Sequence, residues 1–155
     1  MRTSYFRCAA KGFIFSFLLF VCLVPARAAT NKKPVLISQT ASTRAVAFET
    51  VSFKAEPFPL TASLPLTSTD TRTRISIFAM GLELLPGEGA NAFTSDVQDA
   101  SGKIYPLRVE FVGQVPNFPG ITMIVVRLAD DLGDVGDVLI RLNLHGMSSN
   151  RVRLA

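Results

Sequence analysis

The sequence has no tryptophan, one histidine and two cysteines. Both cysteines, Cys8 and Cys22, fall in the first 28 residues, a segment unlike the rest of the chain. Without that segment the chain has no thiol and forms no disulfide, so it must stand on an ordinary core. The other 127 residues (155 minus 28) are enough for one such core, since domains near this size bury roughly two-thirds of the surface their unfolded chains expose. One histidine and no cysteine leave few ligands for a transition metal. An aromatic platform for sugars is equally short of material, because Tyr105 is the only tyrosine beyond residue 28 and its place in the alternation points inward.

There is one long apolar run, at residues 12–24 (GFIFSFLLFVCLV). Arg2, Arg7 and Lys11 precede it, and Pro25-Ala26-Arg27-Ala28 comes after it with small residues at alternate positions. This is the three-part layout of a secretory signal. The run is shorter than the roughly 20 residues a membrane-spanning helix needs. The expectation is cleavage after Ala28 and export, to a bacterial periplasm, the cell surface or the medium, with no membrane span afterwards. Cys22 as a lipid acceptor is disfavoured by the bulk of Val21 before it.

Export also changes the charge. The signal holds four of the 16 basic residues (Arg2, Arg7, Lys11 and Arg27) and none of the 12 acidic ones, which leaves twelve of each sign. The basic isoelectric point of about 9.4 belongs mostly to the precursor. Nucleic acid is therefore not an expected partner.

Beyond residue 28 the chain reads as all-β. Apolar residues alternate at period two in short runs separated by Gly, Pro, Asn and Asp. Residues 34–38 form a first short run and 45–53 (AVAFETVSF) a clearer one, with Val46 and Phe48 on one parity and Val51 and Phe53 on the other. One extra residue near Glu49-Thr50 reconciles them, so a bulge or kink is expected there. Residues 56–73 carry Pro57, Pro59 and Pro65 and read as a long irregular connection. Ile75, Ile77 and Ala79 then share a face. Residues 95–99 and 104–113 read as a hairpin turning at Gly102, with Tyr105, Leu107, Val109 and Phe111 on one face. Residues 121–128 (ITMIVVRL) are apolar on both faces, which fits a central strand. Val138, Ile140, Leu142 and Leu144 alternate inward, His145-Gly146 marks a turn, and Val152 and Leu154 return inward. About seven short strands in this length predict an immunoglobulin-like antiparallel β-sandwich over residues 45–155, preceded by the signal peptide (1–28) and a leader (29–44).

Four stretches carry a resemblance: Arg72-Thr-Arg-Ile-Ser-Ile-Phe; Asp99-x-x-Gly102-x-Ile-Tyr105-Pro-Leu-x-Val-Glu110-x-Val-Gly113-x-Val-Pro; Ile124-Val-Val-Arg127-Leu; and Gly136-Asp-Val-Leu-Ile-Arg-Leu with Ser149-Asn150. From about residue 45 onward the chain resembles an uncharacterised immunoglobulin-like β-sandwich module of large secreted bacterial proteins, placed near or among repeat domains. The resemblance implies a fold and a compartment. It brings no catalytic residues to carry over, and the expectation is that this chain departs from the usual setting by standing alone.

Catalysis lacks parts. His145 is followed by Gly146 in a turn, and Ser148, Ser149, Asp134 and Asp137 supply the other members of a hypothetical triad. There is no Gly-x-Ser-x-Gly elbow, so the chain reads as non-catalytic, with a hydrolase as the distant alternative. Asp130, Asp131, Asp134 and Asp137 are candidate calcium ligands, because calcium takes six to eight oxygens from carboxylates and loop carbonyls. Gly133 and Gly136 make the same segment an ordinary solvated loop on the other reading. Phe58, between Pro57 and Pro59, and Phe118, in a Pro-flanked loop, are the candidate exposed aromatics of a binding surface. The expectation is thus an exported module for binding, adhesion or spacing, its partner an unidentified protein or cell-surface component. A calcium-dependent structural module is the alternative.

Overall fold

The computed structural model describes residues 32–62 and 69–155. The expected signal with its Ala28 cleavage site, Cys8 and Cys22 lies outside the described residues, as do residues 63–68.

Alternation decides what faces inward. In β3 (Arg74–Met80) Ile75, Ile77 and Ala79 are at most 1% exposed, and in β7 (Val138–Leu144) Val138, Ile140, Leu142 and Leu144 are all buried. The remaining strands are β1 (Val35–Leu36), β2 (Ala47–Glu49), β4 (Phe93–Gln98), β5 (Ile104–Gln114), β6 (Ile121–Arg127), β8 (Met147–Ser148) and β9 (Val152–Leu154). A 3-10 turn, Ala90–Ala92, leads into β4. The result is an all-β, antiparallel curled sheet in the order β1-β3-β6-β5-β4-β7-β8. β2 lies beside β1 along the edge of β3, and β9 lies beside β8 along the edge of β7.

The long strand β5 produces the curl. Its first part pairs with β4 (Leu107 opposite Ser95), whereas its second pairs with β6 (Arg108 opposite Arg127). The register shifts between Val109 and Phe111, an extra residue that bends a strand and raises its twist. The two ends of the curl are tied together. Ala45 N–H donates to Arg153 O and Arg153 N–H to Thr43 O, both at 2.8 Å, and the Asn150 side chain holds Leu36 through its N–H (2.7 Å) and carbonyl (3.0 Å). Leu36 is 2% exposed, so part of the leader belongs to the sheet. Each such fully buried aliphatic contributes about 1.5–3 kcal/mol.

Two expectations are corrected. Phe111 does not share the inward face of Tyr105 and Leu107: the bulge reverses parity, so Phe111 is 48% exposed and Val112 packs inward instead. Residues 45–53 are not one strand either: the irregularity expected at Glu49-Thr50 is there, as a full turn. β2 ends at Glu49, and a turn comes next in which Phe53 N–H returns to Glu49 O at 2.9 Å while the Glu49 carboxylate accepts from Ser52 N–H and hydroxyl. Phe53 thereby takes a φ of 56° and stands 74% exposed.

Candidate functional site

Two chain segments cross the end of the curl at which β6 finishes and β7 begins. The first contains Pro57-Phe58-Pro59-Leu60. Prolines supply no N–H, so this segment is held through the groups it still has. Phe58 N–H donates to Ala155 O at 2.8 Å, Thr73 N–H to Leu60 O at 3.2 Å, and the Thr73 hydroxyl to Pro59 O. The second is the aspartate-bearing loop between Arg127 and Val138. Its path is set by Arg72, whose Nη2 reaches the carbonyls of Ala129, Asp130 (2.6 Å) and Leu132 (2.9 Å). A planar guanidinium with fixed donors suits that task.

Between these two straps lies a cavity of ≈ 690 Å³. Its walls are carbon: Phe58 and Leu60 from one strap, Ile75 from β3, Leu128 just after β6, Leu132 from the other strap, and Val138 from β7. Asp134 and Asp137, with Gly133 and Gly136, form its polar border.

The candidate residues separate accordingly. Phe58 is half-buried, packs on the core and lines the cavity with Asp134 and Asp137. Phe118 is 58% exposed in the loop that precedes β6, at the other end of that strand from the cavity. The four aspartates do not converge. Asp130 is taken by Arg127 at 2.6 Å and Arg72 at 3.6 Å, and Asp137 by Arg153 at 3.3 Å and Arg44 at 3.8 Å. Asp131 and Asp134 are exposed. Among the described residues no three of His, Cys, Asp or Glu are grouped to hold a metal ion.

His145 occupies the β7–β8 turn with a φ of 49°, and its Nε2 lies 2.9 Å from both carboxylate oxygens of Glu88. The nearby serines are engaged elsewhere: Ser148 donates to Asn143 Oδ1 and Ser149 to Asn150 O.

Two features are hardly visible in the sequence pattern. The first is an ionic lattice beside the aspartate loop. Arg74, Arg127 and Arg108 stand in register across β3, β6 and β5. Asp70 accepts from Arg127 Nε at 2.6 Å and Arg74 Nη2 at 2.8 Å, while Glu110 faces Arg74 Nε at 2.9 Å. The Arg127 hydrogen bond, and after it the Arg72 N–H, holds the Asp70 carboxyl far below the usual carboxylate range. The motif Arg72-x-Arg74 is its only trace in the local sequence. The second is an apolar outer face on the β2–β3–β6–β5 side. Phe48 packs against Phe53 and Phe78, with ring centroids 5.5 and 5.7 Å apart, and the Phe111 ring lies over Gly113.

Comparisons of the chain with protein-family models, with curated proteins and with solved structures gave no match.

Proposed function

We propose that the chain is an exported, non-catalytic β-module that works by binding, with the cavity between the two straps as its site. The cavity itself carries this reading. Its ≈ 690 Å³ falls within the roughly 300–1,000 Å³ of ligand pockets, and the end of a curled sheet is a place where such pockets form. Its aliphatic walls suit an apolar ligand. The engagement of His145 by Glu88 supports a structural role for that turn. Export rests on the layout of residues 1–28, and an immunoglobulin-like arrangement of two sheets on the bend in β5 that separates its β4-paired and β6-paired halves.

The neutral apolar fluorophore N-phenyl-1-naphthylamine tests the reading. Its emission is expected to rise saturably with the full chain and to lose that rise in Val135→Trp, which fills the cavity from its loop wall. A linear, unsaturable response, or one unchanged in Val135→Trp, would remove the cavity as the site. Export is checked by mass spectrometry of the released species: an N-terminus at Ala29 is expected, and an intact Met1 in a membrane fraction would reject it.

A further inference from the structure

We propose that the cavity selects small amphiphiles bearing an ammonium group, with the aliphatic body among the carbon walls and the cation at Asp134. The proposal rests on the binding role given to the cavity above and adds the class of its ligand.

The charge at the cavity border carries the argument. Arg72 turns its guanidinium to the loop carbonyls and Asp130, and Arg127 is divided between Asp70 and Asp130. Arg44 and Arg153 both face Asp137, and Arg44 also holds Glu56. Each of these four arginines is thus matched by a carboxylate. Asp134 borders the cavity, is exposed, and has no ion-pair partner among the described residues. The charge left uncompensated at the mouth is therefore negative. A carboxylate head group would meet repulsion here. An ammonium would gain a charge-assisted hydrogen bond, stronger than a neutral one.

The backbone argues for a small molecule over a peptide strand. Phe58 N–H and the carbonyls of Pro59 and Leu60 are already bonded, and Pro57 and Pro59 have no N–H. A peptide laid along the strap would find two N–H groups missing and a third taken, a poor ladder to join. Recognition must run through side chains and the charged border.

Three probes with one body separate the possibilities: octylamine, 1-octanol and octanoate, each titrated into the full chain at pH 7 and read from the methyl resonances of Leu132 and Val138. Octylamine is expected to bind roughly three- to tenfold more tightly than octanol, and octanoate more weakly than either. Asp134→Asn, an exposed change that leaves the walls intact, is expected to erase the preference for the amine and retain the affinity for octanol. If the three probes bind alike, or the preference survives in Asp134→Asn, the charge selection is wrong and the cavity reading stands. If none moves the methyl resonances, the cavity reading fails and this proposal with it. Binding of a lysine-containing peptide where octylamine is inert would overturn the small-molecule class.

Discussion

Arg72 Nη2 donates to the carbonyl of Leu132 at 2.9 Å, joining residues 60 positions apart in the chain. The same nitrogen serves Ala129 and Asp130, so one side chain, itself only 15% exposed, sets the course of the loop that walls the cavity. Arg72→Ala is expected to destabilise the protein by about 1.5–3 kcal/mol, the range for hydrogen bonds to a charged group. Arg72→Lys should recover only part of this, because an ammonium cannot reproduce the planar fork. Urea denaturation of the three proteins checks the order. Full rescue by lysine would mean that charge alone holds the loop.

The acid limb of stability should trace to Asp70, Glu88 and Asp99. Each carboxyl is held below its ordinary range: Asp70 chiefly by Arg127, Glu88 by the Leu85 N–H and then His145, Asp99 by the Ser101 hydroxyl. A carboxyl with a lowered folded pKa favours the native state fully above its unfolded value, about 4. That contribution is lost as pH falls through the folded value. The urea midpoint is therefore expected to be flat above about pH 5 and to fall steadily below 4. Asp70→Asn should start lower at pH 7 and fall less steeply. Parallel curves for the two proteins would show that Asp70 contributes nothing to the acid limb.

The interior is legible in the sequence where one physical rule acts alone. In β3 and β7 alternation is uninterrupted, and Ile75, Ile77, Ile140 and Leu142 lie where period two places them. Phe111 escapes that rule because its parity depends on the extra residue at Glu110, whose carboxylate pairs with Arg74 on a strand two places away. No local pattern encodes that. Residues 45–53 depart from it for a related reason: Glu49 folds its side chain onto Ser52 and ends the strand early. At the site, Phe58 stands out as an aromatic between prolines. Leu128, Leu132 and Val138 do not, since an aliphatic residue looks the same in sequence whether it fills a core or lines a cavity. Asp134 and Asp137 are visible in sequence only as charges. The pairing of Asp137 is decided by Arg44 and Arg153, both distant in the chain.

Val125 tests the central strand. It points to the outer face of β6, between Ser76 of β3 and Phe111 of β5, and is nevertheless only 7% exposed. Val125→Asp would set an unpaired charge among apolar neighbours, which commonly costs several kcal/mol. The melting temperature is expected to collapse, while Val125→Thr, nearly isosteric, should cost far less. Equal melting of parent and aspartate variant would mean that this face is open to water at Val125.

Calcium provides the last test, because ligand count and geometry lead to opposite expectations. Four aspartates within residues 130–137 outnumber what a solvated loop requires, and their mutual repulsion would be relieved by a cation they shared. The structure distributes them instead: Asp130 to Arg127 and Arg72, Asp137 to Arg153 and Arg44. A calcium ion would have to break these pairs before gathering its six to eight oxygens. Melting in millimolar calcium is thus expected to match melting in magnesium, both acting as weak screening ions. Asp134→Asn combined with Asp131→Asn should leave that equality unchanged. Ligand binding to the native state raises stability in proportion to its occupancy, so a rise of several degrees with calcium alone, abolished in the double variant, would show that the loop rearranges into a calcium site.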